Sequence, residues 1–336
     1  MYLAAWFLVV LALAAGPARA ADSRPRIAQA RLGGQEYLPL AEWARANGLQ
    51  VRWLKRDEAL QLNGRGQVVE LTIDSRESQV NGVAVWLSFP VLERGDTAYL
   101  ARLDAESTLR PVLFPTTTKA RARLASICLD PGHGGKDPGL CVGPNQEKKY
   151  TLLLAKELRQ QLERSGIATT LTRTSDVFVD LEARPELAAR RHADLFVSLH
   201  FNAAEIGRQT VQGAQVFCLT PPGASSTNAR GESGGGAGWF VGNRNNDQNL
   251  LLAYQLQRAL LRELGVQDRG VRRARFAVLR EATMPAVLIE AGFMSHPVEG
   301  RKIFTAAYRQ RLARAILHGI LAYKHALEPG PAEAPH

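Results

Sequence analysis

Leu195-Phe196-Val197-Ser198-Leu199-His200 is the stretch on which the fold turns. It is a short apolar run that ends on an imidazole, and it reads as a strand delivering a reactive side chain to its carboxyl end. Working outward, the elements alternate. Residues 126–130 read as a short buried strand. Residues 150–164 form an amphipathic helix with Leu154, Leu158 and Leu162 on one face, ended by Gly166, and 167–172 is the next strand. A helix follows around 184–192, with Pro185 in its first turn, where a missing N–H costs nothing. Beyond the opening run, 214–219 is a strand and 249–264 a long helix closed by Gly265. Residues 276–279 and 286–290 are read as the last strands, and 306–323 as a final helix. This alternation specifies an α/β domain over 126–326 with a twisted, largely parallel sheet flanked by helices.

The rest of the chain is organised around that domain. Its 336 residues suffice for two domains, and 46% hydrophobic with 22% charged residues is the composition of a globular protein. Residues 21–112 form a small α+β unit. Within it Gln35-Glu36-Tyr37-Leu38-Pro39-Leu40 leads into a helix over 41–46 that Gly48 closes, and Leu49-Gln50-Val51-Arg52-Trp53 follows as a strand. A weaker echo at 97–103 is again followed by a helical run. Linker chemistry runs through 111–123, around Pro115-Thr116-Thr117-Thr118, with the linker itself set at 113–125. Segment 221–246, with seven glycines and little to bury, reads as disordered by base rate or as a lip over the cleft. The tail 327–336 is read as disordered.

The first twenty residues differ in kind. An apolar run over 3–15 and the small residues of Ala18-Arg19-Ala20 read as a signal peptide over 1–20, so the protein is expected to be exported, periplasmic or extracellular. Met1 and Tyr2 carry no basic charge, which leaves an uncleaved anchor as the second reading. A formal net charge of +10 favours anionic wall or membrane surfaces, or a generally basic surface. Scattered Lys and Arg without a binding motif argue against nucleic acid. Cys128, Cys141 and Cys218 show no metal-type spacing. Pairing of Cys128 with Cys141 and three buried thiols stand as equal readings.

Four groups sit at the ends of predicted elements: His133 after a strand in Leu129-Asp130-Pro131-Gly132-His133-Gly134-Gly135, Glu147 before a helix, His200, and Glu290 at the end of Ala286-Val287-Leu288-Ile289-Glu290. In open α/β sheets, sites gather outside the carboxyl ends of the strands. Two imidazoles and a carboxylate are a common catalytic zinc set with one position left open. Taken singly, Glu147 is a helix cap favoured by the dipole, and His200 a residue at the core's edge. Glu290 is harder to dismiss, because a carboxylate on an apolar strand is costly unless something pairs with it.

Over 126–323 the chain resembles the family-3 N-acetylmuramoyl-L-alanine amidases. The matching runs are 129–139, Glu147-Lys148, Leu171-Thr172-Arg173, 193–203, Asp268-Arg269-Gly270-Val271 and 284–293, in order and at fitting spacing. The resemblance implies that His133, Glu147 and His200 are Zn2+ ligands. It implies that Glu290 is the catalytic glutamate, taking a proton from the attacking water and passing it to the leaving amine. It also gives Asn202, in a His-x-Asn run, a substrate-orienting role. His296, where the family usually has Asn, reads best as the cap of the helix after it. The 21–112 unit is similar to the N-terminal domain of copper amine oxidases, although 21–120 contains no His, Cys or Met to hold copper. It reads as a binding or spacer unit.

The activity so implied is zinc-dependent hydrolysis of the amide between N-acetylmuramic acid and L-alanine in peptidoglycan, by a monomer. The need for a protein activator is left open. The same ligand set serves a zinc peptidase acting within the stem peptide. A non-catalytic wall-binding protein fits less well, since degenerate members lose a ligand or the glutamate and this chain keeps all four.

Overall fold

The computed structural model describes residues 27–117, 124–227 and 238–328. The signal peptide, residues 118–123 of the linker, residues 228–237 of the Gly-rich segment and the tail beyond 328 lie outside the described residues.

The N-terminal unit opens with β1 (Ala30–Leu32), β2 (Gln35–Pro39) and α1 (Leu40–Ala46). A meander follows: β3 (Gln50–Lys55), β4 (Ala59–Gly64), β5 (Gln67–Thr72), β6 (Glu77–Val80) and β7 (Val83–Trp86). Then come β8 (Leu92–Arg94), β9 (Thr97–Ala101) and a continuous helical stretch, α2, over 102–113. The strand–helix–strand reading over 35–53 agrees with this. The linker reading does not hold at its start. Pro111, Val112 and Leu113 are buried in the last turn of α2, because the stretch closes the N-terminal core before the chain leaves it.

In the C-terminal unit, β10 (Ser126–Pro131) leads through the short hairpin β11 (Cys141–Val142) and β12 (Asn145–Gln146) to α3 (Glu147–Arg164) and β13 (Ala168–Leu171). After these come α4 (Ala183–Arg190), β14 (Leu195–Asn202), β15 (Ala214–Leu219), α5 (Asn246–Leu264), β16 (Asp268–Ala274), α6 (Ala277–Arg280), β17 (Ala286–Phe293), α7 (Pro297–Ile303) and α8 (Ala306–Leu327). Strands β13, β10, β14 and β17 lie side by side and parallel; β15 turns against β17, and β16 runs parallel to β15. One face of this sheet packs on α3, α5 and α8 through residues such as Leu158, Leu256 and Ile316. The other carries a smaller core of Cys128, Phe196, Phe217 and Leu288 with Ala188 of α4 and Val278 of α6.

Two strand readings change. Residues 276–279 are not a strand: Phe276 caps the short α6, and its ring meets Phe217 edge-on at 5.2 Å. The sheet strand is β16, whose sequence Asp-Arg-Gly-Val-Arg-Arg-Ala hides its period behind arginines. In addition, β14 and β17 run past His200 and Glu290, so both residues lie inside strands. A register shift follows His200 directly.

The meander does not hang from a tether. β7 pairs with β16 at Val85 and Val271, and one sheet of eleven strands runs through both units. Asp268 Oδ2 accepts from Ala84 N at 2.7 Å, Tyr254 donates to Val80 O at 3.2 Å, and Arg273 donates to Ser107 O at 2.7 Å. The Gly-rich segment is partly packed: Ala224, Ser226 and Asn243 are buried. Cys128 and Cys218 are buried, Cys141 is exposed, and all three are free thiols. Among the described residues no helix is long and apolar enough to cross a membrane.

Candidate metal centre and active site

His133 leaves β10 on a tight loop with its backbone in the left-handed region, at φ 62. An imidazole-bearing residue holds that conformation only where its surroundings over-determine it. Here Gly134 N donates to Asp137 O at 2.8 Å, and Arg184 Nη2 donates to the His133 carbonyl at 3.1 Å. Arg184 itself is buried against Asp130, whose carboxylate also accepts from Thr172 Oγ1 at 2.6 Å and Ser198 Oγ at 2.8 Å. A buried ion pair whose carboxylate accepts three hydrogen bonds makes a rigid footing for the loop.

The His133 ring is oriented from behind. Nδ1 lies 2.8 Å from Asp137 Oδ2, while Asp137 Oδ1 accepts from Gly139 N at 3.0 Å. An ionised carboxylate only accepts, so Nδ1 carries the proton and Nε2 presents a lone pair to the site. Glu147 is the first residue of α3, where the helix dipole favours its charge. Its Oε1 accepts from Phe201 N and its Oε2 from Leu140 N, both at 3.0 Å, so the carboxylate is fixed at both ends. His200 enters from β14 and meets the His133 ring edge-on, with centroids 4.8 Å apart.

Three donor atoms therefore form a triangle. His133 Nε2 is 3.1 Å from Glu147 Oε1; His200 Nδ1 is 3.2 Å from His133 Nε2 and 3.2 Å from Glu147 Oε1. Bonds of about 2.0–2.1 Å to one tetrahedral ion separate its ligand atoms by roughly 3.3 Å. The triangle has the size of a shared divalent cation, and two nitrogens with one oxygen are donors zinc takes. Glycines make room for it. A Cβ on Gly132 would lie 2.2 Å from the His200 ring, and one on Gly139 2.7 Å from both Glu147 and the His133 ring.

Electrostatics separates the two glutamates. Burial works against ionising Glu147, yet hydrogen bonds and charge from His133 and His200 outweigh it and hold its carboxyl well below the usual range. Burial alike opposes protonation of His133, but Glu147 and Asp137 raise its pKa. Glu290 sits beside His200 in the β14–β17 register. Its Oε2 is enclosed and has no hydrogen-bond partner among the described residues. Burial first, and then the charge of Glu147, push its pKa well above that of an ordinary carboxylate.

A cavity of about 470 Å³ opens over this cluster, with His133, Glu147, His200, Asn202 and Glu290 in its lining and Leu181, Phe276, Val278 and Leu288 as its apolar wall. All five residues singled out in the sequence thus border one cavity. Asn202 accepts from Ala203 N through Oδ1 at 2.7 Å. His296 caps α7, its Nδ1 accepting from Val298 N and Glu299 N. His318 and His325 pair with Glu263 and Glu328 on the far helices, and His192 is exposed just past α4. Sequence reasoning gave no role to Asp130, Asp137 or Arg184. A charged residue inside an apolar strand was the one signal that could have marked Asp130.

Comparison with known proteins gives three findings. The N-acetylmuramoyl-L-alanine amidase family matches residues 127–322, and the copper amine oxidase N-terminal domain matches 18–107. The chain is 36% identical over 231 residues to the N-acetylmuramoyl-L-alanine amidase AmiA of Salmonella typhimurium, covering 62% of this chain and 79% of that protein. With AmiA of Escherichia coli the identity is 35% over 222 residues, covering 59% and 76%. Among solved structures, the N-acetylmuramoyl-L-alanine amidase AmiC2 of Nostoc punctiforme superposes with a TM-score of 0.50 at 32% identity, over 60% of this chain and 97% of that one.

Proposed function

Because the chain belongs to the N-acetylmuramoyl-L-alanine amidase family and is a peptidoglycan amidase, we propose that it cuts the amide between N-acetylmuramic acid and L-alanine. In this reading it uses a zinc ion held by His133, Glu147 and His200. The observation that supports this most is the triangle of donor atoms at 3.1–3.2 Å. A zinc ion there supplies Lewis-acid polarisation of the carbonyl and a lowered pKa for water.

The chain's own groups do the rest. Glu290, enclosed and unpartnered beside the cluster, takes the proton of the attacking water and hands it to the departing nitrogen of L-alanine. That second transfer matters because an amine leaves an amide only once protonated. Asn202, with Oδ1 already occupied, keeps its amide N–H pair to orient the substrate. The apolar wall of Leu181, Phe276, Val278 and Leu288 screens the reacting carbonyl from bulk water, which strengthens every charge interaction at the site. The proposed setting is the cell envelope, reached by export.

Incubation of purified peptidoglycan with the protein, followed by mass spectrometry, tests this reading. The expected products are peptide-free glycan and free peptides that begin at L-alanine. Peptides opened internally would instead support a zinc peptidase. Chelation should abolish release and added zinc restore it; release that survives full removal of metal would overturn the metal assignment.

A further inference from the structure

The registers set three side chains in one row across the sheet. His200 of β14 pairs with Glu290 of β17, and Glu290 pairs with Gln215 of β15. Side chains alternate across a strand and paired residues share a face, so all three project from the face on which the catalytic cavity opens. Glu290 therefore has one side-chain neighbour on each flank. On the metal side is His200, whose Nδ1 belongs to the donor triangle. On the other side is Gln215. The next row offers no donor: Ser198 Oγ already donates to Asp130, and Leu288 and Phe217 are apolar.

Both members of the Glu290–Gln215 pair are unmet. Glu290 Oε2 is enclosed and has no hydrogen-bond partner among the described residues. Gln215 is only 7% exposed, and its amide likewise has no partner among the described residues. A buried carboxyl and a buried amide are each costly when left without a partner. Here the two stand directly across one ladder. Cβ atoms of opposed residues in an antiparallel pair lie about 4.5–5.5 Å apart, and both side chains are long enough for torsions alone to join their heads. Glu290 lines the cavity while its Oε2 is enclosed, which leaves Oε1 as the oxygen that faces the substrate.

We propose that Gln215 is a positioning residue for the hydrolysis: its Nε2 donates to Glu290 Oε2 and so turns Oε1 toward the attacking water and the departing nitrogen. The proposal rests on the amidase reading above and adds one residue to its proton relay. A fixed donor on one oxygen restricts rotation of the carboxylate, so the other oxygen meets the water in the geometry that transfer needs. A neutral amide suits the place. It donates as a lysine or arginine would, yet brings no charge to repel the cation that the neighbouring triangle is built to hold.

The test compares the zinc-loaded full chain with Gln215→Met, a substitution of similar shape that lacks the donor, on a soluble N-acetylmuramoyl tetrapeptide. The variant should lose about 10–100-fold in kcat, the worth of one hydrogen bond to a charged group, with KM and zinc affinity unchanged. Placed in Glu290→Gln, the same substitution should cost nothing further, because Gln215 acts only through the carboxylate. Equal kcat in Gln215→Met and the unaltered protein, or an equal loss in both backgrounds, would overturn the inference. If Gln215→Met does not fold, the unaltered protein still decides. In a crystal structure of its zinc-loaded form, Gln215 Nε2 should lie within hydrogen-bond distance of Glu290 Oε2, and an amide turned away from Glu290 would overturn the inference. These outcomes leave the amidase reading intact. Failure of the unaltered protein to release peptide at L-alanine would overturn that reading itself.

Discussion

At the scale of single residues, the site is a set of lone pairs aimed by neighbours. Asp137, in the wall of the cavity, fixes which nitrogen of His133 points inward. Asp137→Ala should weaken zinc affinity about 10–100-fold, read by competition with a chromogenic chelator. Its effect on activity should disappear at saturating metal. Glu290→Gln should bind zinc normally and lose about 10²–10⁴ in kcat, the usual worth of a general acid–base group. The unaltered enzyme should also show an acid limb in kcat/KM. Glu290 must be unprotonated to accept, and its pKa is raised, so activity should climb with pH at values above the ordinary carboxylate range. The glutamine variant should lack that limb. His133, Glu147, His200 and Glu290 could be named from their places at the ends of predicted elements, and Asn202 from the family resemblance. Asp137 could not, because its role is a direction in space, and its place in a short loop does not say that it turns back onto His133.

At the scale of elements, close approach decides what the loop after β10 can contain. Gly132 is tolerated beside His200 only because it lacks a Cβ, which would come within 2.2 Å of the ring. Gly132→Ala should leave the far-ultraviolet circular dichroism spectrum unchanged and shift His200 out of the triangle. Metal affinity should then fall at least as far as in Asp137→Ala. Strands whose cores are apolar, such as β10, β14 and β17, were readable from the chain, as were the long helices with their closing glycines. β16 was not. Its inner face depends on Val271 alone at mid-strand, flanked by arginines that are structural: Arg273 is buried and donates across to Ser107 and Thr108. Its arginine-rich composition hides the strand's period, and tertiary partners bury Val271 and Arg273.

At the scale of the whole molecule, the N-terminal unit is part of the catalytic sheet rather than an appendage. Nothing in the sequence announced this, because the seam joins residues far apart in the chain, through one pair of valines in the sheet, a few hydrogen bonds and a shared apolar core. A protein lacking residues 1–117 would expose the β16 edge and strip Arg273 Nη2 of its acceptors. Its melting temperature should be several degrees lower, as expected for a loss of a few kcal/mol in a unit of this size. Zinc affinity should be nearly unchanged, since no residue of the triangle touches the removed part. Differential scanning calorimetry with a parallel metal titration would separate the two effects.

The valine seam also bears on how the chain is made. Synthesis runs from the N-terminus, so β7 leaves the ribosome long before β16 exists to pair with it. Until then the meander presents a bare row of backbone donors and acceptors, open to any other extended chain that passes. The nascent protein therefore has an interval of vulnerability that the finished one lacks, and its end is set by translation of the C-terminal half.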